Sequence, residues 1–386
     1  MNLTSLVFLF IVIFLKTKIL KGEDPFEAFF IRFQCYGDSQ PGCTKDFIDE
    51  HPEFSLSNNG ITRADTFFYL FTPENPEQPE LWHKCAELIP PATKFNPKCR
   101  TEIVIPGWLC GACNMAIFRE IKDEILKRSE CSNVFVIDYM WGNSLDYTET
   151  HENLLILSDQ IAYLVRKLKT TYQLTPEDFT CTGHSFGAQT CGLLGHKERM
   201  AVINGLDPAG GIVTEITPLD QRLDAGDADC VQVIHSNGGQ CFPEFVGCNF
   251  TCGTVDIWPN GGLLQPEELC RQETLTAIAK QDYFYAFLNI IACSHLEALQ
   301  FYKASISAED AKFVAVRCQN YRQFQRGNCP NCGKNGDKCV EMGPDCCSCL
   351  KPNQRRNGGS KNFYLNTNDS CPYIDNSDIN AENFQC

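Results

Sequence analysis

Apolar residues along this chain fall into short runs that are apolar at almost every position, separated by longer stretches where they recur every three or four residues. The short runs are "TFFYLFT" at 66–72, "TEIVIPGW" at 101–108, "NVFVIDY" at 133–139, "MAVINGL" at 200–206 and "CVQVIH" at 230–235. Each is long enough for one strand, and a strand covered on both faces reads as a continuous apolar run. Between them, "MAIFREIKDEILKRS" at 115–129 and "LLILSDQIAYLVRKLKTTY" at 154–172 have helical periodicity. In the second, Leu157, Ile161, Leu164, Val165 and Leu168 share one face. Strands alternating with helices predict a mainly parallel sheet with helices on both sides.

Two regions break this alternation. The chain opens with "LVFLFIVIFL", Leu6 to Leu15, followed by Lys16, Lys18 and Lys21. Such a run is about half of what spans a bilayer. It reads as a secretory signal over 1–22, cut near Gly22, with a retained anchor as the alternative that the following lysines leave open. After about Phe313 the sequence becomes cysteine-dense and poor in apolar residues. All 24 cysteines lie beyond Gly22, and in an exported chain an even count predicts up to twelve disulfides. Cys329 and Cys332, like Cys347 and Cys349, have a spacing that suggests zinc in a cytosolic protein and disulfides in a secreted one. The segment 318–349 is too short of apolar residues for its own core. It is expected to extend one large domain over 23–370, followed by a tail at 371–386. The glycosylation sequons at Asn249 and Asn368 agree with secretion. A net charge of −15 argues against nucleic acid as a partner and against charge attraction to anionic membranes, so any lipid contact must be apolar.

Within "TCTGHSFGAQTCGLLG", Ser185 stands between Gly183 and Gly187. The residues before it suit a short strand and those after it a helix, the setting of a nucleophilic serine on a sharp strand-to-helix turn. A small-residue turn gives the same five letters, so a base and an acid must be found elsewhere. Asp207 leaves the strand-like "AVINGL" at its carboxyl end, 22 residues after Ser185, room for one helix and one strand. Seven histidines compete for the base. His184 is expected to point away from Ser185, while His51, His83, His151 and His196 have polar, surface-like surroundings. Of the remaining two, His295 in "IIACSHLEAL" is favoured as base and His235 as a structural hydrogen-bonding residue. Chain order Ser, Asp, His holds for either.

Taken in order, "GHSFGAQ", "GLDPAGG", "VIHSNGG", "IWPNGG" and "CSHL" resemble the pancreatic lipase family, whose serine turn usually reads GHSLGAH. The likeness runs from about Cys35 to Leu365, is weakest over 140–178, and includes the spacing of Cys318, Cys329 and Cys332. It implies a disulfide-rich α/β-hydrolase fold and a Ser185, Asp207, His295 triad, with backbone N–H groups of Trp108 and Phe186 as oxyanion hole. Pro106 departs from the histidine usual before that glycine, and Phe186 and Gln189 are milder departures. "TPLDQRLDAGDAD" at 217–229 resembles the family's calcium loop, with carbonyls of Leu219 and Arg222 and carboxylates of Asp224 and Asp227 as ligands. A solvated acidic turn is the alternative there. Cys270 and Cys293 would close a lid. Its moving part is expected over 271–281, with Leu275, Ile278 and Ala279 facing inward and Arg271, Gln272, Glu273 and Lys280 in water, unless the stretch is a static amphipathic helix. Tyr283, Phe284 and Phe287 belong to the fixed core in this reading.

The resemblance implies a secreted esterase acting on lipid esters at an oil–water or membrane surface, with no cofactor in the chemistry and at most a structural calcium. The lengths of the lid and of the loop from Ser236 to Asp256 favour a triacylglycerol lipase over a phospholipase A1. The family's second, lipid-binding domain has no counterpart in this sequence, so a protein cofactor docked there is not expected. The rival class is a non-catalytic lipid-binding or storage protein such as the insect yolk proteins, which have lost triad residues that this chain keeps.

Overall fold

Successive side chains along the predicted strands go to opposite sides of one sheet. In the computed structural model, which describes residues 66–82, 89–111, 115–139, 147–239, 245–280, 283–308, 312–329, 331–334, 336–344, 346–347, 350, 361–368, 373–377 and 379, the strands are β1 (Phe67–Phe71), β2 (Glu80–Trp82), β3 (Arg100–Ile105), β4 (Ser132–Asp138), β5 (Phe179–His184), β6 (Met200–Leu206), β7 (Ala228–Ile234), β8 (Val255–Pro259), β9 (Val314–Arg317), β10 (Cys339–Glu341), β11 (Asn362–Thr367) and β12 (Ile374–Asp375). The helices are α1 (Ala116–Arg128), α2 (Tyr147–Tyr172), α3 (Phe186–Lys197), α4 (Glu267–Ala279), α5 (Tyr283–Ser307) and α6 (Tyr321–Gln325). Val134 and Val136 join a core beneath α1 and α5, whereas Phe135 and Ile137 join a second core beneath α2 and α3. The strand period of two thus feeds two apolar layers, and this explains why β4 has no polar face.

The five residues that share a face in the sequence of α2 are all buried in the second core. Each such side chain stabilises the fold by about 1.5–3 kcal/mol relative to leaving it in water. The helix begins at Tyr147, seven residues before the periodic stretch read from the sequence.

The strand order is β10-β9-β11-β8-β7-β6-β5-β3-β4-β1-β2, with β12 beside β11. From β4 to β11 neighbouring strands are parallel, and β1, β2, β9, β10 and β12 are antiparallel additions. This is the α/β-hydrolase arrangement. The chain moves from β3 to β4 on one side and returns to β5 on the other. The crevice between β3 and β5 is therefore the switch point at which open parallel sheets form their sites.

The cysteine-rich segment adds β9 and β10 to the sheet edge, and Cys230–Cys347 bonds it to β7. Cys318–Cys329 and Cys332–Cys339 are also disulfides, so Cys329 and Cys332 hold no zinc between them. Cys99–Cys131, Cys181–Cys191 and Cys270–Cys293 complete the six among the described residues. The signal-like run, His51, His83, Cys349 and the end of the tail lie outside the described residues, as do the side chains of Tyr283, Phe284 and Phe287. No described helix is long and apolar enough to cross a membrane.

Candidate active site

Ser185 sits between β5 and α3 with φ 57° and ψ −121°, a conformation that a side chain rarely adopts. Crowding around the turn explains the flanking glycines. A Cβ on Gly187 would lie 2.1 Å from the Ile105 carbonyl oxygen, and one on Gly183 would lie 2.2 Å from that of Gly187. The strained turn is therefore pressed against the end of β3.

In-register pairing lines up the residues just past the strand ends. The Ser185 N–H donates to the Leu206 carbonyl at 3.0 Å, that of Asp207 to Ile234 at 2.7 Å, and that of His235 to Ile257 at 2.8 Å. Ser185, Asp207 and His235 thus occupy adjacent strand ends. Asp207 then turns out of the strand with φ 42°. Its Oδ2 accepts from His295 Nδ1 of α5 at 2.6 Å. Its Oδ1 accepts from the N–H groups of Ser236 and Asn237 at 2.8 and 3.1 Å. Both carboxylate oxygens are fixed, and Asp207 is fully buried. The His235 ring turns elsewhere: Nε2 meets Asp256 Oδ1 at 2.8 Å and the ring stacks on Trp258 at 3.7 Å. His295, not His235, is the imidazole on Asp207.

His184 also supports the site, although its position in the sequence gives no sign of how. Its ring lies 4.5 Å from that of His295, and its Nε2 donates to the His295 carbonyl at 3.0 Å. Burial, aided by the charge of His295, holds His184 well below the usual histidine range, so it remains a neutral donor. His151, expected at the surface, is half-buried with its ring 6.0 Å from that of Phe186; its long helix α2 begins earlier than the periodicity indicates and carries it inward.

Trp108 comes after β3, where Cys110 N–H closes a turn on the Gly107 carbonyl at 3.1 Å. Pro106 brings no N–H, and its carbonyl accepts from the Tyr139 hydroxyl at 2.9 Å. Tyr147 bridges the two oxyanion candidates, its ring 5.3 Å from Trp108 and 4.3 Å from Phe186. Phe186 opens α3, whose first-turn N–H groups lack intrahelical partners. The Gln189 amide ties this helix to both neighbouring loops, donating to the Ala209 carbonyl at 2.7 Å and accepting from Leu223 N–H at 2.9 Å.

Helix α4, which the resemblance implies to be a lid, packs differently from expectation. Cys270 and Cys293 are bonded, but α4 turns Thr274 and Ala277 inward, with Ile278 half-buried, and leaves Leu275 42% exposed and Ala279 exposed. Asn289 of α5 donates to Thr274 Oγ1 and to the Cys270 carbonyl, so small and hydrogen-bonded residues choose the packed face. The apolar count alone placed Leu275 on the wrong side. Glu273, expected in water, is half-buried and accepts from Gln300 and Tyr373. The sequon residues Asn249 and Asn368 are exposed.

In the loop after Asp207, Asp224 N–H donates to Asp227 Oδ2 at 2.8 Å and Gly226 N–H to Asp224 Oδ1 at 2.5 Å. Leu219 is exposed and Arg222 is buried. Arg222 donates to the carbonyls of Thr217 and Leu223 rather than to either carboxylate. Burial, with the charge of Asp224 adding to it, pushes Asp227 up to about 8.

A parallel sheet with a strained serine after β5, a buried acid after β6 and a late histidine paired to it defines an α/β-hydrolase. The chain belongs to the Lipase family, whose profile matches residues 29–373. It is 30% identical to pancreatic lipase-related protein 3 of Homo sapiens, over 88% of this chain and 71% of that one. It is 29% identical to the pancreatic triacylglycerol lipase of Ictidomys tridecemlineatus, over 89% and 71%. Inactive pancreatic lipase-related protein 1 of Homo sapiens is 31% identical, over 73% and 59%.

Proposed function

We propose that this chain is a secreted serine esterase that hydrolyses carboxylic esters of lipids, triacylglycerol in particular. The observation that supports this most is the 2.6 Å pair of Asp207 and His295 at the strand ends beside Ser185. Asp207 keeps the proton of His295 on Nδ1, which leaves Nε2 to take the Ser185 proton as the hydroxyl attacks the ester carbonyl. The N–H groups of Phe186 and Trp108 hold the tetrahedral oxyanion. His295 then protonates the leaving alcohol, and water repeats the cycle on the acyl-enzyme. The six disulfides support export. A relative named inactive makes a direct assay decisive: a serine-directed organophosphonate should label Ser185, and emulsified triacylglycerol should be cleaved faster than phosphatidylcholine. Preference for phosphatidylcholine would make the chain a phospholipase A1. Absence of labelling and of turnover would leave a lipid-binding protein without catalysis.

The lid reading makes a separate prediction. Leu275 already faces water, and Leu263 and Leu264 after β8 are 51% and 54% exposed, so these side chains can meet a lipid surface. Leu275→Ser should weaken the rise in rate once triacylglycerol exceeds its solubility, while sparing hydrolysis of a soluble ester and the melting temperature. Ile278→Ser should lower stability as well. A rate curve that passes smoothly through the solubility limit, in wild type and variants alike, would remove the lid.

We propose a structural calcium in the loop after Asp207. Asp224 and Asp227 have no ion pair among the described residues, and with the carbonyls of Leu219 and Arg222 they offer the hard oxygens calcium prefers. The ion would brace the loop that Gln189 ties to α3, with no part in the ester chemistry. At a hundredfold excess over its Kd it should stabilise by about 2.7 kcal/mol. Chelation should therefore lower the melting temperature before it lowers the initial rate. Identical melting curves with and without calcium would eliminate the site.

A further inference from the structure

Two described cysteines outside the six disulfides face each other: the Sγ atoms of Cys248 and Cys252 are 3.9 Å apart, at 1% and 5% exposure. Both are held from the backbone. Cys248 N–H donates to the Pro208 carbonyl at 2.8 Å. Its carbonyl lies 3.3 Å from His235 Nδ1. Cys252 N–H donates to Asp256 Oδ1 at 3.0 Å. Phe250, midway between them, is buried beneath the Arg222 guanidinium at 5.1 Å.

The strip that carries Cys248 forms the wall behind Asp207. Gly210 N–H donates to the Val246 carbonyl at 2.8 Å, and Ala209 bridges Gly247. A Cβ on Gly247 would lie 2.5 Å from both Asp207 carboxylate oxygens. Cys252 sits at the other end, anchored beside β8. A bond between the two sulfurs would fix the wall to the sheet, leaving Asp207 no room to recede from His295.

We propose that Cys248 and Cys252 are joined by a disulfide in the exported protein, and that this small ring is a positioning device for Asp207. The sulfurs need only close to about 2.05 Å. The bond forms by exchange with the disulfide of a thiol oxidoreductase. The Cys248 thiolate attacks one donor sulfur and expels the other as thiolate. Cys252 then displaces the donor, so two thiols lose two protons and two electrons and the donor becomes a dithiol. The exchange takes place while the chain folds, before the two sulfurs are buried. The bond is independent of the esterase reading; only its kinetic consequence rests on it.

The test is peptide mapping of the full secreted chain, alkylated without reduction, stripped of sugar at Asn249 and digested with pepsin at low pH. Cleavage after Phe250 should give two peptides that stay joined until reduced. Alkylation of both thiols without reduction would overturn the proposal, as would a bond from either one to Cys241, or a zinc ion that shields both thiols until chelated. Cys248→Ser, Cys252→Ser and the double variant should each lower the melting temperature by the same amount, about 3 °C. Each should also lower kcat on a soluble ester several-fold with KM unchanged. Losses that add in the double variant would mean two independently packed thiols.

Discussion

A Ser185→Ala variant is expected to fold as the wild-type chain does, with ester hydrolysis lower by about 10⁴- to 10⁶-fold. The hydroxyl donates to no part of the fold that the backbone around it does not already secure: Gly183 and Gly187 permit the turn and Leu206 holds its N–H. His295→Gln should be about as damaging. The double variant should be hardly worse than either single one, because the two side chains act in one step. Initial rates on a soluble ester, corrected for folded protein by circular dichroism, measure this. Retention of most activity by Ser185→Ala would sink the triad.

The second large effect is on stability. His235 and Asp256 are fully buried and paired at 2.8 Å. Breaking one side of such a pair leaves a buried charge without its partner, at a cost of about 3 kcal/mol or more. His235→Gln should therefore lower the melting temperature by about 4 °C or more, while the folded fraction keeps its turnover number. Pairing His235→Gln with Asp256→Asn should cost less than the sum of the two singles. If His235→Gln instead abolished turnover in a stable protein while His295→Gln spared it, the base would be His235.

The strands were legible because a parallel sheet covered on both faces leaves its mark as unbroken apolar runs; the boundaries of β6 match the run at 200–206. The segment at 361–369 reads as a strand and forms β11, yet β9 and β10 escaped notice because each is only three or four residues long, too short to show a strand period beside the cysteine-dense stretch. Ser185, Asp207 and the order of the motifs were readable, since each is a local pattern at a strand end. The preference for His295 over His235 agrees with its pair to Asp207, but what sets that pair, the turn of Asp207 out of β6 and the partner that Asp256 offers the nearer imidazole, has no mark in the sequence. Tyr147 and His184 escaped for the same reason: their partners Gly210 and His295 are remote in sequence. The face of α4 was misjudged because a Thr–Asn hydrogen bond can outweigh one leucine in deciding how two helices meet.

The place of β11 has a consequence for how the protein is made. It follows β9 and β10 along the chain, yet it lies between β8 and β9 and is parallel to β8. Until residues 362–367 are in place, β8 presents a bare apolar edge and β9 has no neighbour on its inner side. Such an edge is a template for pairing with another chain, and late non-local pairing prolongs its exposure. Premature stops shortly before Asn362 should therefore yield aggregates rather than a smaller folded protein.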